Sequence, residues 1–122
     1  MILTIDTVQD QGRQIVVQLK DQGRKVACQS VEAEFAQAEK LLPLVEELLK
    51  AQNIQPSALA GIEVRSKGGG FTALRIGVAT ANALAYAWQI PVVAAGQAHK
   101  PAGRPFSVVK PEYGQEPNIN LT

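Results

Sequence analysis

The chain has 122 residues, 46% hydrophobic and 19% charged, with 12 Lys+Arg against 11 Asp+Glu. That length and apolar content suit one domain with one core and exclude a disordered polymer. A formal net charge of +1 leaves no electrostatic footprint for nucleic acid or for a membrane surface. The single cysteine, Cys28, excludes an internal disulfide and fits a reducing, cytoplasmic setting. It reads as a half-buried strand residue, and a lone thiol with one distant His99 makes a poor nucleophile pair. The N-terminus opens into a strand pattern without a basic and apolar leader, so no secretory signal is expected. Thr80, Asn82 and Gln89 interrupt the longest apolar helix candidate, so no membrane span is expected either.

Three β-rich runs come first: MILTID, RQIVVQLKD and RKVACQSV, joined by short links containing Gly12 and Gly23. This predicts an antiparallel meander. From about Ala33 to Gln52 the period becomes helical, with Pro43 expected to kink or divide the helix. GIEV at 61–64 follows as a strand fed by a helix, so it should lie parallel to a neighbour. A helix from Thr72 to Gln89 and a closing strand, IPVVAA, complete the pattern. The order β-β-β-α-β-α-β predicts an α/β fold: a five-stranded mixed sheet with helices covering it. From Gly96 onward Pro101, Pro105, Pro111 and Pro117 interrupt a polar stretch, read as an irregular tail. Within it only RPFSVV is β-like, and Phe106, Val108 and Val109 should dock on the domain, as an added strand for instance.

Gly68, Gly69 and Gly70 stand between a strand and a helix, a place where several folds hold phosphate. A P-loop needs Lys and then Ser or Thr after the last glycine, and here Lys67 precedes the run. Gly68, Gly70 and Ala73 fit the dinucleotide spacing, but the next strand supplies no acid. The loop therefore reads mainly as a tight turn with weak anion binding at most. The candidate anion residues are Gly68, Gly69, Gly70, Thr72 as helix cap, Arg75 and Asp6. Arg75, in the first helical turn against the dipole, should seek a partner, either a carboxylate such as Asp6 or a bound phosphate. Asp6 has a structural reading too, as the residue that orders the turn at Thr7.

Both helices carry more apolar surface than one sheet face needs. In the first, Phe35, Ala38, Leu42, Val45 and Leu49 form a stripe assigned to the core. A second stripe, Leu41, Leu44 and Leu48, is offset by roughly a quarter turn. In the second helix Phe71, Leu74, Val78, Ala81, Ala85 and Trp88 form the core stripe, and Ile76, Ala79, Ala83 and Ala87 a small-residue stripe on the other side. The surplus stripes are assigned to a helical protein–protein interface, with packing inside the domain as the alternative.

The motifs ILTIDT, EKLLPLVEELL and KGGGFTALRIGVATANALAYAWQIPVV resemble the bacterial TsaB (YeaZ) family, in order, over residues 1 to about 95. The resemblance implies an actin-like, ribonuclease-H-like half-domain over 1–96, followed here by a Pro-rich tail over 97–122. It implies a non-catalytic partner of TsaD, the enzyme that places threonylcarbamoyl on adenosine of certain tRNAs. The partners implied are a TsaD-like protein or a second copy, with tRNA met only through the complex. Some family features differ here. Asp-Thr-Ser becomes Asp6-Thr7-Val8, Gly-Pro-Gly-Ser-Phe-Thr-Gly becomes the run Lys67 to Ala73, and His-Ser-Glu becomes Gln37-Ala38-Glu39. Each change removes a group that could touch a phosphate or a metal. The family's second half-domain has no counterpart before Thr122, while VKPEYGQEPNI resembles its closing tail.

A scaffold role in tRNA modification is thus the leading expectation. The alternatives are a nucleotide-binding module of the actin-like and sugar-kinase kind, and a self-associating homodimer. For the former, Glu63 is the only second acid in the next parallel strand, and it lies mid-strand. No metal cluster, Ser-His-Asp arrangement or carboxylate pair appears, so neither catalysis by this chain alone nor any cofactor or metal is expected.

Overall fold

The computed structural model describes residues 1–68, 71–96 and 109–110, except for the side chain of Phe71. The strands are β1 (Ile2–Gln9), β2 (Gln14–Asp21), β3 (Arg24–Glu32), β4 (Gly61–Val64) and β5 (Val92–Ala94), and the helices are α1 (Gln37–Ala51) and α2 (Phe71–Trp88). They form one five-stranded sheet in the order β3-β2-β1-β4-β5. The meander is antiparallel, while β1 with β4 and β4 with β5 pair in parallel, as the crossover helices require. The mixed sheet and the element order match the sequence expectation.

Alternation along the strands sets one face against both helices. Leu3, Ile5, Ile15, Val17, Leu19, Ile62 and Val64 are buried and form the floor of the core. Helix α1 lies on β2 and β3, α2 lies on β1, β4 and β5, and the two helices touch each other. Each buried Leu, Ile or Val contributes about 1.5–3 kcal/mol of transfer free energy. Both helices end in the same way. Asn53 and Gln89 turn left-handed, and the next amides, of Ile54 and Ile90, reach back to Leu49 and Ala85 at 2.9 and 3.0 Å. The isoleucine after each turn then folds against the core, so polar chemistry and burial stop the helix together.

Helix α1 departs from the sequence expectation. It begins at Gln37, because Ala33–Ala36 form a turn in which the Ala36 amide donates to the Ala33 carbonyl at 2.8 Å. Phe35 therefore precedes the helix and is 94% exposed. Leu41, Leu44 and Leu48, assigned to a partner, are 1%, 6% and 1% exposed inside the domain itself. Leu42, assigned to the core, is 41% exposed, and Ala38 is exposed too. The reason is geometric. A helix wedged against a sheet and a second helix buries one broad arc, and Leu41, Leu44, Val45, Leu48 and Leu49 fill it. Pro43 does not divide α1, and it lies on the exposed side, where water can serve the carbonyl it leaves unpaired.

Two smaller expectations change. Cys28 is exposed, because it alternates with Ala27 and so points to the face of β3 away from the core. The tail contact at Val109 is made on α2 and not as a strand. The Asn82 amide donates to the Val109 carbonyl at 2.9 Å, and the Val109 amide donates to Asn82 Oδ1 at 2.9 Å. Val109 also packs against the core, whereas Phe106, Val108 and His99 lie outside the described residues.

Candidate functional site

The expected anion residues converge only in part: Arg65, the partner of Asp6, reaches beside Gly68. Along β1 successive side chains point to opposite faces. Thr7 turns inward and donates to the Ala73 carbonyl at 2.6 Å, tying β1 to the first turn of α2. Asp6 therefore points to the face opposite the helices. There it accepts from the Val8 amide at 2.9 Å, from Gln9 Nε2 at 2.7 Å and from Arg65 at 3.2 Å. The Asp6 carboxylate is thus engaged in ordering its own strand end, the structural role read for it. Its cation is Arg65 and not Arg75, because β4 runs parallel to β1 and the Arg65 amide is fixed on the Ile5 carbonyl at 2.9 Å. Arg75 is exposed, and no described acid pairs with it. Thr72 lies inside α2, which begins at Phe71, so it is not the cap. Gly68 turns left-handed at φ +83°, which favours glycine, while Gly69 and Gly70 lie outside the described residues. Glu63 is mid-strand and pairs with Lys20 at 3.8 Å.

A large cleft among the described residues lies elsewhere, and sequence reasoning missed it. It has a volume of about 580 Å³ between the β1–β2 hairpin tip, the start of α1 and the start of α2. Gly12, Arg13, Glu34, Ala38, Thr72 and Ile76 are among its lining. The hairpin tip is held by three left-handed residues in succession, Asp10, Gln11 and Gly12. Gly12 passes so close to α2 that a Cβ there would come 3.1 Å from Ala73 Cβ. Gln37, nearly buried, bridges the tip to α1 by donating to the Gly12 carbonyl at 2.5 Å. The one available sequence signal was Gly12 in the link, since two left-handed non-glycine residues leave no compositional mark. Among the described residues no group of His, Cys, Asp or Glu side chains could hold a metal ion.

The expected partner residues of α2 are placed outward in part. Ala79, Ala83 and Ala87 are exposed and Ile76 is half-buried at the cleft. On α1 the outward apolar residues are Ala38 and Leu42, with Phe35 just ahead of the helix. The outer side of the helix layer therefore carries Ala38 and Leu42 among charged residues on α1, and Ala79, Ala83 and Ala87 on α2, with the α1 positions different from those the periodicity suggested. Among the described residues no helix is long and apolar enough to cross a membrane.

A β-meander extended by two parallel strands, with two helices packed on one face, is an actin-like, ribonuclease-H-like α/β unit. The family model described as TsaD, tRNA N6-adenosine threonylcarbamoyltransferase, matches residues 31–109, and the chain belongs to this family. Among solved structures it is similar to YeaZ from Pseudomonas aeruginosa, with a TM-score of 0.68 and 31% identity, over 76% of this chain and 42% of that one. It is equally similar, at TM-score 0.68 and 31% identity, to an uncharacterized protein with similarity to peptidase YEAZ from Pseudomonas aeruginosa, covering 76% of this chain and 41% of that one. The chain therefore spans about two fifths of the length of these structures.

Proposed function

We propose that the chain is a non-catalytic binding module in tRNA threonylcarbamoyladenosine modification. It docks a TsaD-like protein, or a second copy of itself, through the outer face of α1 and α2. In this reading residues 1–96 are the half-domain and 97–122 a Pro-rich tail. The setting is cytoplasmic, no cofactor is carried, and tRNA is met only through the complex. The carrying observation is on the outer side of the helix layer, where Phe35, Ala38, Leu42, Ala79, Ala83 and Ala87 are each exposed. An apolar surface of this kind supports partner binding, and small residues let a facing helix come close. The engagement of Asp6 by Val8, Gln9 and Arg65 supports the non-catalytic reading, because a carboxylate bonded at both oxygens within its own strand end has little left to offer a phosphate or a metal. Co-elution of the chain with the TsaD-like protein of its own organism on size exclusion tests the proposal. A stable complex with that protein, or a dimer of the chain alone, is expected, and a chain that elutes separately and as a monomer at micromolar concentrations refutes it.

A further inference from the structure

Strand β3 (Arg24–Glu32) is one edge of the sheet, and its nine residues turn one hydrogen-bonding side outward. The other edge among the described residues, β5, has three residues and offers an incoming strand much less. The direction of the free groups on β3 follows from one bond. The Ala33 amide donates to the Arg13 carbonyl at 2.8 Å, so Ala33 turns its backbone groups towards the chain that enters β2. Residues of an antiparallel pair alternate in this respect, so Glu32, Ser30 and Cys28 direct their amides and carbonyls away from β2. Among the described residues no hydrogen bond reaches the backbone of Cys28 or Ser30 on that side. The run is also of a kind that pairs readily. Val26 is 48% exposed, and neither proline nor charge interrupts residues 26–31.

The two ends of this edge are closed by different means. Towards Arg24 the register shifts, with Leu19 opposite Ala27 but Lys20 opposite Lys25. Val26 is thus an extra residue, a bulge of the kind that twists an edge away from a new strand. Arg24 and Lys25 add two charges just before it. Towards Glu32 the closing group comes from another element. Lys40 Nζ donates to the Glu32 carbonyl at 2.9 Å and so takes an outward acceptor that an added strand would use. Lys40 is exposed at the fourth position of α1, where the helix dipole disfavours a cation, so the helix gains nothing from its charge. No described acid pairs with it either.

We propose that Lys40 guards the β3 edge against pairing with a second copy of the chain. Its ammonium satisfies the Glu32 carbonyl and sets a charge where an added strand would lie. Burying that charge without an acid costs more than one strand hydrogen bond returns. With the guard in place only Cys28 and Ser30 remain open between it and the bulge, and without it the open run extends to Glu32. The guard goes beyond the docking reading and does not rest on it, since β3 lies in the sheet and not in the outer side of the helix layer.

Hydrogen exchange across a concentration series tests it on three full chains: the wild type, Lys40→Met and Lys40→Arg. Methionine keeps the apolar stem without donor or charge, and arginine keeps both. Lys40 is exposed, so both variants keep the fold, and the amides of β1 serve as the reference in the same spectra. In the wild type the Cys28 and Ser30 amides should exchange at a rate independent of concentration. In Lys40→Met they should slow as concentration rises, by at least about tenfold, the effect of one hydrogen bond to a charged group. Lys40→Arg should follow the wild type. Association through the helices protects neither amide, so the docking reading can hold or fail without moving this result. Edge amides of Lys40→Met that exchange like the wild type at every concentration would overturn the proposal. So would wild-type edge amides that already slow with concentration, or a Lys40→Arg chain that behaves like Lys40→Met.

Discussion

At Gly77 the sheet and α2 pack closely, and Gly77→Ala tests that packing. An added Cβ would fall inside contact distance of Thr7 Oγ1, 2.8 Å from Thr7 Cγ2 and 3.2 Å from Thr7 Cβ. Thr7 cannot swing away easily, since it is buried and its hydroxyl donates to the Ala73 carbonyl at 2.6 Å. Helix propensity alone would make Ala about 1 kcal/mol better than Gly at this position. Against that, overpacking costs about 1–3 kcal/mol, and a displaced Thr7 hydroxyl forfeits about 1 kcal/mol more. The steric side wins, with a net loss of about 1–3 kcal/mol. Urea unfolding followed by circular dichroism measures it. Thr7→Ala in the Gly77→Ala background removes both nearest atoms and should recover part of the loss, whereas Thr7→Ser, which keeps Oγ1, should recover less. A Gly77→Ala chain stabilised by about 1 kcal/mol would show that propensity governs the site and that the contact is soft.

Other perturbations separate the roles of neighbouring residues. Leu48→Ala should cost about 2–5 kcal/mol in the same assay and exposed Leu42→Ala at most about 0.5 kcal/mol, the reverse of what helical spacing alone suggests. Asn82→Ala removes both hydrogen bonds to Val109 and should accelerate hydrogen exchange at the Val109 amide while leaving β1 and β2 protected; unchanged exchange would mean that the side-chain clamp does not hold the tail. Isothermal titration with ATP should find binding no tighter than millimolar, equivalent to about 4 kcal/mol, and micromolar binding lost in Asp6→Ala would contradict the structural role given to Asp6.

The sheet and α2 were legible because each follows one simple period. Strand β2 alternates cleanly and β1 does so as far as Thr7, and of the α2 stripe Leu74, Val78, Ala81 and Ala85 are buried and Trp88 is half-buried. Helix α1 was legible in extent but not in orientation. Its leucines fill more than one arc, and Phe35 extends the helical spacing across a turn that is not helical. Periodicity cannot see a left-handed residue, and so it placed Phe35 in the core. The pairing of Asp6 with Arg65 depends on the parallel register of β1 and β4, a long-range fact that no local pattern encodes. The cleft was missed for the same reason, since hairpin tip, α1 and α2 meet there only in the folded chain.

The central claim is that the outer face of α1 and α2 is a docking surface, and Ala83→Glu tests it most directly. Ala83 is exposed on α2, so the variant should fold with an unchanged circular dichroism spectrum and a stability within about 0.5 kcal/mol of the wild type. At a close helix–helix contact the same carboxylate would be desolvated without a partner, a cost of several kcal/mol against a micromolar complex of about 8 kcal/mol. Size exclusion with light scattering, on the chain alone and mixed with the TsaD-like protein, should show association for the wild type and none for Ala83→Glu. A folded Ala83→Glu chain that still forms the complex would place the docking surface elsewhere on the molecule.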